Sequence, residues 1–158
     1  AAKLTGVSAT PLNETSSIGS WHANLYTFHR RQCVFFCHDT TRYILFLSGL
    51  VKAHFAKLGS LHREIFLATL AAQGVGSANL KRVELALGPV GFDHVTDRSV
   101  LGSMNIAWQD LGYILMDIPD PLDLGPAKTA LRLNERPATA NGVWLWPNRE
   151  MLELISRL

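Results

Sequence analysis

Between Trp21 and Ser48 the chain passes three times through apolar, strand-favouring residues and is interrupted only by short polar groups. The runs are Trp21 to Phe28, Gln32 to His38 and Arg42 to Ser48, and the interruptions are His29-Arg30-Arg31 and Asp39-Thr40-Thr41. Such breaks leave no room for a crossover helix. Consecutive strands must therefore be antiparallel neighbours, and the segment predicts a three-stranded meander. In this reading Leu25, Phe35, Leu45 and Leu47 share one face, and Tyr26, Val34, Phe36, Ile44 and Phe46 share the other. A sheet that is apolar on both faces has to be covered on both.

The rest of the chain supplies the cover. Gly49 to Leu58 reads as a short helix or turn. Leu61, Ile65, Leu67, Ala68 and Ala71 recur at helical spacing after a candidate cap at Ser60, and Gly74-Val75-Gly76 ends that helix. A second helix follows Ser77 and stops at Gly88-Pro89. Val90 to Val95 predicts a short fourth strand, interrupted by Gly91. A long helix is expected from about Arg98 to Met116, capped by Thr96 or Asp97, with Gly102 permitting a close helix approach. Ile118-Pro119-Asp120-Pro121 is a stiff connector. Leu124 to Leu133 reads as a weaker helix, or as a strand over Thr129 to Leu133. Pro137 to Pro147 is a loop holding Trp144 and Trp146, which would make a stacking or partner surface if exposed and are expected instead to be buried against the last helix, and Arg149 to Leu158 is that terminal helix. The prediction is thus one α+β domain over residues 1–158. Its antiparallel meander of three to four strands is covered by several helices, behind a loosely structured lead-in over residues 1–20 that includes a short strand near Lys3 to Val7.

Composition narrows the function classes. The chain has 158 residues, enough for one domain with a real core. It is 47% hydrophobic and only 18% charged, more apolar than an average soluble domain. The excess predicts a thoroughly covered sheet or a surface hidden by self-association, so a homo-oligomer is an expected partner state. A net charge of +2, spread along the chain, argues against a nucleic-acid partner; that reading would have to use Arg30, Arg31, Arg42, Lys52 and Lys57. Cys33 and Cys37, on one face of one strand, lie roughly 13 Å apart, too far for a disulfide, and free thiols suit a reducing cytoplasm. No apolar run approaches the length of a membrane span, and no charged-then-apolar leader is present.

Two constellations carry chemistry. A three-residue turn at His29 to Arg31 pairs Tyr26 with Val34, Asn24 with Phe36 and His22 with His38. The next turn, Asp39 to Thr41, pairs His38 with Arg42. That register gathers His22, Asn24, His38 and Arg42 at one end of one face, where two histidines about 5 Å apart could act as an acid/base pair or begin a metal site with Asp39 nearby. The competing account is a solvent-facing strand end, and a slip of one residue would send each side chain to the other face. The second constellation is the helix start at Asp97. There Arg98, Ser99 and Asn105 could hold a small anion at the unpaired amides, or Asp97 could fill the same helix end with its own carboxylate.

The absences matter as well. The sequence holds no CxxC, HExxH, Gly-rich nucleotide loop or GxSxG elbow, and the cysteines lack an activating cation. No catalytic residue, metal or cofactor is therefore assigned.

Trp21-His22-Ala23-Asn24-Leu25 and Arg98-Ser99-Val100-Leu101-Gly102-Ser103-Met104-Asn105 resemble the motifs of a prokaryotic family defined as a domain of unknown function. The family carries a W-x-A-N-L strand and an R-S-V-L-G-S-M-N helix start. Asn134-Glu135-Arg136-Pro137 and Pro147-Asn148-Arg149-Glu150 are similar to its C-terminal pattern. Two positions depart from it: Asp97 stands where the family has asparagine, and Ile106 where it often has aspartate. The resemblance implies a shared order of elements and a bacterial source, including carriage on a mobile element, but no reaction. The expected function is a non-enzymatic binding or interaction module. Its rival is a small enzyme or ligand-binding protein with a site between the His22/His38 strand end and the Arg98 helix start.

Overall fold

The three apolar runs form the expected meander in a computed structural model of the chain, which describes residues 6–116, 123 and 125–158. Strands β1 (Trp21–Phe28), β2 (Arg31–His38) and β3 (Ile44–Leu47) pair antiparallel in sequence order. Six helices and a small hairpin complete the described residues. They are α1 (Lys52–Phe55), α2 (Leu58–Ala72), α3 (Ser77–Ala86), α4 (Arg98–Ile114), α5 (Pro126–Asn134), the strands β4 (Ala138–Ala140) and β5 (Val143–Leu145), and α6 (Pro147–Ser156). The architecture is α+β. Among the described residues no helix is long and apolar enough to cross a membrane.

The register differs from the expected one by one residue at both turns. The first turn is only His29-Arg30, with Phe28 opposite Arg31, Tyr26 opposite Cys33 and Trp21 opposite His38. Both turn residues are left-handed, with φ of 47° and 64°, the geometry that matches the twist of a two-residue hairpin. The second turn takes four residues, Asp39 to Arg42, and brings Phe36 opposite Leu45. The physical reason is that β2 is buried without interruption from Cys33 to His38. A strand apolar on both faces has no alternation with which to declare its register.

The faces are reassigned accordingly. One carries Trp21, Leu25, Val34, Phe36, Leu45 and Leu47 against Phe66 and Leu70 of α2, Val83 of α3, and Met151 and Ile155 of α6. The other carries Tyr26, Phe28, Cys33, Phe35, Cys37, Ile44 and Phe46 against Val100, Met104, Ala107 and Leu111 of α4 and Leu133 of α5. The expected double cover is present. The edge strand β3 is protected at its start by Asn134, fully buried, whose Oδ1 accepts from Ile44 N at 2.7 Å and whose Nδ2 donates to Ile44 O at 2.9 Å. Those two bonds occupy backbone groups that would otherwise be buried and unpaired.

Several local expectations change. Val90 to Val95 forms no strand; Phe92 makes one parallel bridge to Val7, because Pro89 and Gly91 leave no run long enough to pair. Residues 8–20 hold no regular element but are tied down by fully buried Ile18 and by Ser16 Oγ donating to Ala86 O at 2.7 Å. Helix α2 begins before Ser60, and Gly74 follows its cap with φ of 100°. Gly102 mediates no close approach, since a Cβ there would meet nothing within 4 Å. The long helix stops at Ile114, two residues short of the expected Met116; the Ile118 to Pro121 connector lies outside the described residues, as do residues 3–5 of the strand expected near Lys3 to Val7.

The Pro137 to Pro147 loop is the β4–β5 hairpin. It turns on Asn141 and Gly142, both at positive φ of 52° and 81°. Trp144, on β5, is 66% exposed and Trp146, at the start of α6, is 42% exposed, because a two-stranded ribbon leaves much of its surface without cover.

Candidate functional site

The one-residue slip decides the fate of the predicted histidine pair. His22 now lies opposite Cys37 and faces α4, whereas His38 lies opposite Trp21 and faces α2. They cannot share a proton or a metal. Among the described residues no group of three His, Cys, Asp or Glu side chains is placed to hold a metal ion.

His38 is fully buried, and both its ring nitrogens are engaged. Nε2 donates to Ile18 O at 2.6 Å, and Nδ1 accepts from the Thr41 hydroxyl at 2.8 Å. Burial lowers its pKa, with the Ile18 carbonyl pulling the other way. Gly19, at φ 98°, sits against this ring, and a Cβ there would lie 3.3 Å from His38 Nε2. Beyond it, Trp21 packs edge-on against His38, His62 and Phe66. Both nitrogens of His62 and Nε1 of Trp21 are buried without a hydrogen-bond partner among the described residues. Burial, and then the neighbouring His38, hold the His62 pKa down to about 4.

On the α4 side, the two predicted constellations do meet. His22 Nδ1 donates to Asp39 Oδ1 at 2.7 Å, and Nε2 accepts from the backbone amide of Asp97 at 2.9 Å. Asp97 caps α4, its carboxylate accepting from the amides of Ser99 at 2.7 Å and Val100 at 3.2 Å. The Val100 and Ser99 amides hold its carboxyl below the usual range. Arg42 closes the circuit, donating to the Asp39 carbonyl through Nη1 and to the Ser99 hydroxyl at 2.7 Å through Nη2. So His22, Arg42 and Ser99 converge, with Asp39 and Asp97 between them.

The other predicted residues stand apart. Asn24 is exposed and bonds the amide of Leu25. Asn105 accepts from the Tyr26 hydroxyl at 3.0 Å, farther along the same face, and Arg98 is exposed in the first turn of α4. The helix end expected to hold an anion is filled by Asp97.

Chemically this circuit is a fastener. Each ring nitrogen of His22 already has a partner, and the bonds tie the β1 strand to the β2–β3 turn and to the start of α4. Burial pushes the Cys37 thiol up to about 12 and raises that of Cys33, so neither is a thiolate nucleophile at neutral pH.

Beside the circuit lies a cleft of about 260 Å³. Arg42 lines it from the turn before β3, Ile44 from β3, Ser103, Ile106 and Asp110 from α4, Leu133 and Arg136 from α5 and its exit, and Trp144 from the hairpin. Asp110 and Arg136 pair at 2.8 Å, and Ser103 Oγ donates to Thr139 O at 3.3 Å, linking α4 to the hairpin. Sequence reasoning missed Asp110 and Arg136 as site residues, and it expected Trp144 to be buried. The Asn141-Gly142 turn between strand-favouring residues was the available sign of a hairpin carrying Trp144 outward. A larger hollow of about 490 Å³ lies between α2 and the segment after α3, but its basic residues are spent or solvated: Arg63 pairs with Glu84, and Lys57 is exposed.

No curated protein matches this sequence. A family model described as "Domain of unknown function (DUF6933)" matches residues 1–150, which cover the strand and helix-start motifs and all three sheet strands, and the chain belongs to that family.

Proposed function

We propose that this chain is a binding module rather than an enzyme, and that it receives its ligand in the cleft between α4, α5 and the β4–β5 hairpin. The observation that carries the reading is Trp144, 66% exposed on the lining of that cleft together with Ile106 at 55%. Large apolar side chains held in water are a standing cost of about 25 cal/mol per Å² that a ligand would relieve, and tryptophan is the residue type most enriched at binding hot spots. The engaged histidines and protonated thiols support the non-enzymatic half of the reading.

The test is heteronuclear NMR of the full chain titrated with a neutral aromatic probe, benzyl alcohol. Shifts should concentrate at Ile106, Leu133 and Trp144 and need several-fold more probe in Trp144→Ala, a change at an exposed position that leaves the fold intact. Shifts concentrated around Arg63 and Phe92, or none, overturn the reading. Native mass spectrometry of the same samples tests the expected self-association: a dimer using this rim would become monomeric in Trp144→Ala.

A further inference from the structure

We infer that the cleft takes a small monoanionic acid, a carboxylate on an apolar body, with Arg42 as the residue that holds the charge. The inference rests on the binding reading of the same cleft and deepens it. Arg42 is only 4% exposed, and a guanidinium is charged at any pH a protein meets. Buried arginines are ordinarily matched by a carboxylate, because taking the charge out of water is otherwise costly. Here no carboxylate among the described residues is paired with it. Its two bonds go to neutral acceptors, the Asp39 carbonyl and the Ser99 hydroxyl, and its Nε has no partner at all among the described residues.

The nearby acids are committed elsewhere. The Asp39 carboxylate holds His22, Asp97 caps α4, and Asp110 holds Arg136. That leaves one buried guanidinium with no carboxylate bonded to it, on the lining of an open cleft. A single unpaired cation suits a monoanion better than a phosphate dianion, since Arg136 is not free to supply a second charge. The volume of about 260 Å³ lies just below the usual range for drug-sized ligands, which favours a small acid. Ile106 and Trp144 offer its body an apolar wall.

The experiment compares 3-phenylpropionate, the neutral 3-phenylpropan-1-ol and inorganic phosphate on the full chain, by NMR titration at low and high salt. The acid should bind in the cleft about tenfold more tightly than the alcohol, the size of one charge-assisted hydrogen bond. That preference should shrink with salt, and phosphate should bind more weakly than the acid. Trp144→Ala should weaken acid and alcohol alike and keep their ratio, whereas Arg42→Met should bring the ratio to one. If Arg42→Met does not fold, the ratio in the unaltered chain and its salt dependence decide the matter. Equal affinity for acid and alcohol in the cleft, or phosphate binding tighter than the acid, overturns the inference and leaves the binding reading standing. No binding of either aromatic probe in the cleft overturns both.

Discussion

The two faces of the sheet bury polar groups on opposite terms. Toward α2, the polar side chains sit in an apolar enclosure: His38 bonds within the chain, while His62 and Trp21, enclosed by Phe36 and Phe66, lack hydrogen-bond partners among the described residues. Toward α4, the polar groups are charged and connected. His22, Asp39, Asp97, Ser99 and Arg42 complete one another's bonds, and a cleft opens beside them. The difference follows from cost. An imidazole can escape the penalty of burial by losing its proton, but a guanidinium cannot, so it is kept among acceptors and near an opening.

The largest effect expected from this contrast is in acid. A histidine whose folded pKa is depressed contributes stability that is present above its unfolded value near 6.5 and is lost as pH falls toward the folded one. For His62, held at about 4, that window runs from about pH 6.5 to 4 and is worth about 3 kcal/mol. Buried His38 is shifted in the same direction and adds to the loss. Urea denaturation across this range should show the fall, and His62→Leu should remove most of it. A slope unchanged in His62→Leu would mean that the α2 side is not where protons are refused.

On the α4 side, His22→Ala breaks two hydrogen bonds and strands the Asp97 amide. About 2 kcal/mol of stability should be lost, read by the same denaturation. A loss near zero would break the comparison, because the circuit would then fasten nothing. Smaller effects sharpen the backbone account. Replacing His29-Arg30 by Asn-Gly, the pair that serves the β4–β5 turn, should raise stability by about 1 kcal/mol, since both positions are left-handed. Gly102→Ala fills open space on α4 and should add somewhat less than about 1 kcal/mol, measured as a small rise in Tm.

How far the sequence could be read depends on where it alternates. The meander, the double cover, the α4 cap at Asp97 and the C-terminal stop of α2 at Gly74 were legible because each rests on local chemistry: short polar breaks, helical spacing, a capping carboxylate, a left-handed glycine. The convergence of His22 with Ser99 and Arg42 was legible only in outline. The expected register groups His22, Asn24, His38 and Arg42 by pairing His22 with His38, and β2 gives no signal against it. The exposure of Trp144 was not legible, because Asn141-Gly142 fits a loop as well as a hairpin turn, and a loop tryptophan suggests burial where the hairpin leaves it in water.

The sequence by itself determined the kinds of elements, their order and the need for helices on both faces of the sheet, since these depend on periodicity and on the cost of exposing apolar surface. Only the tertiary structure decided the register, and with it which histidine faces Arg42 and which is sealed beneath Trp21. The reason is physical: on a strand buried from both sides, a slip of one residue exchanges one apolar neighbour for another at almost no local cost, and packing against α2 and α4 breaks the tie.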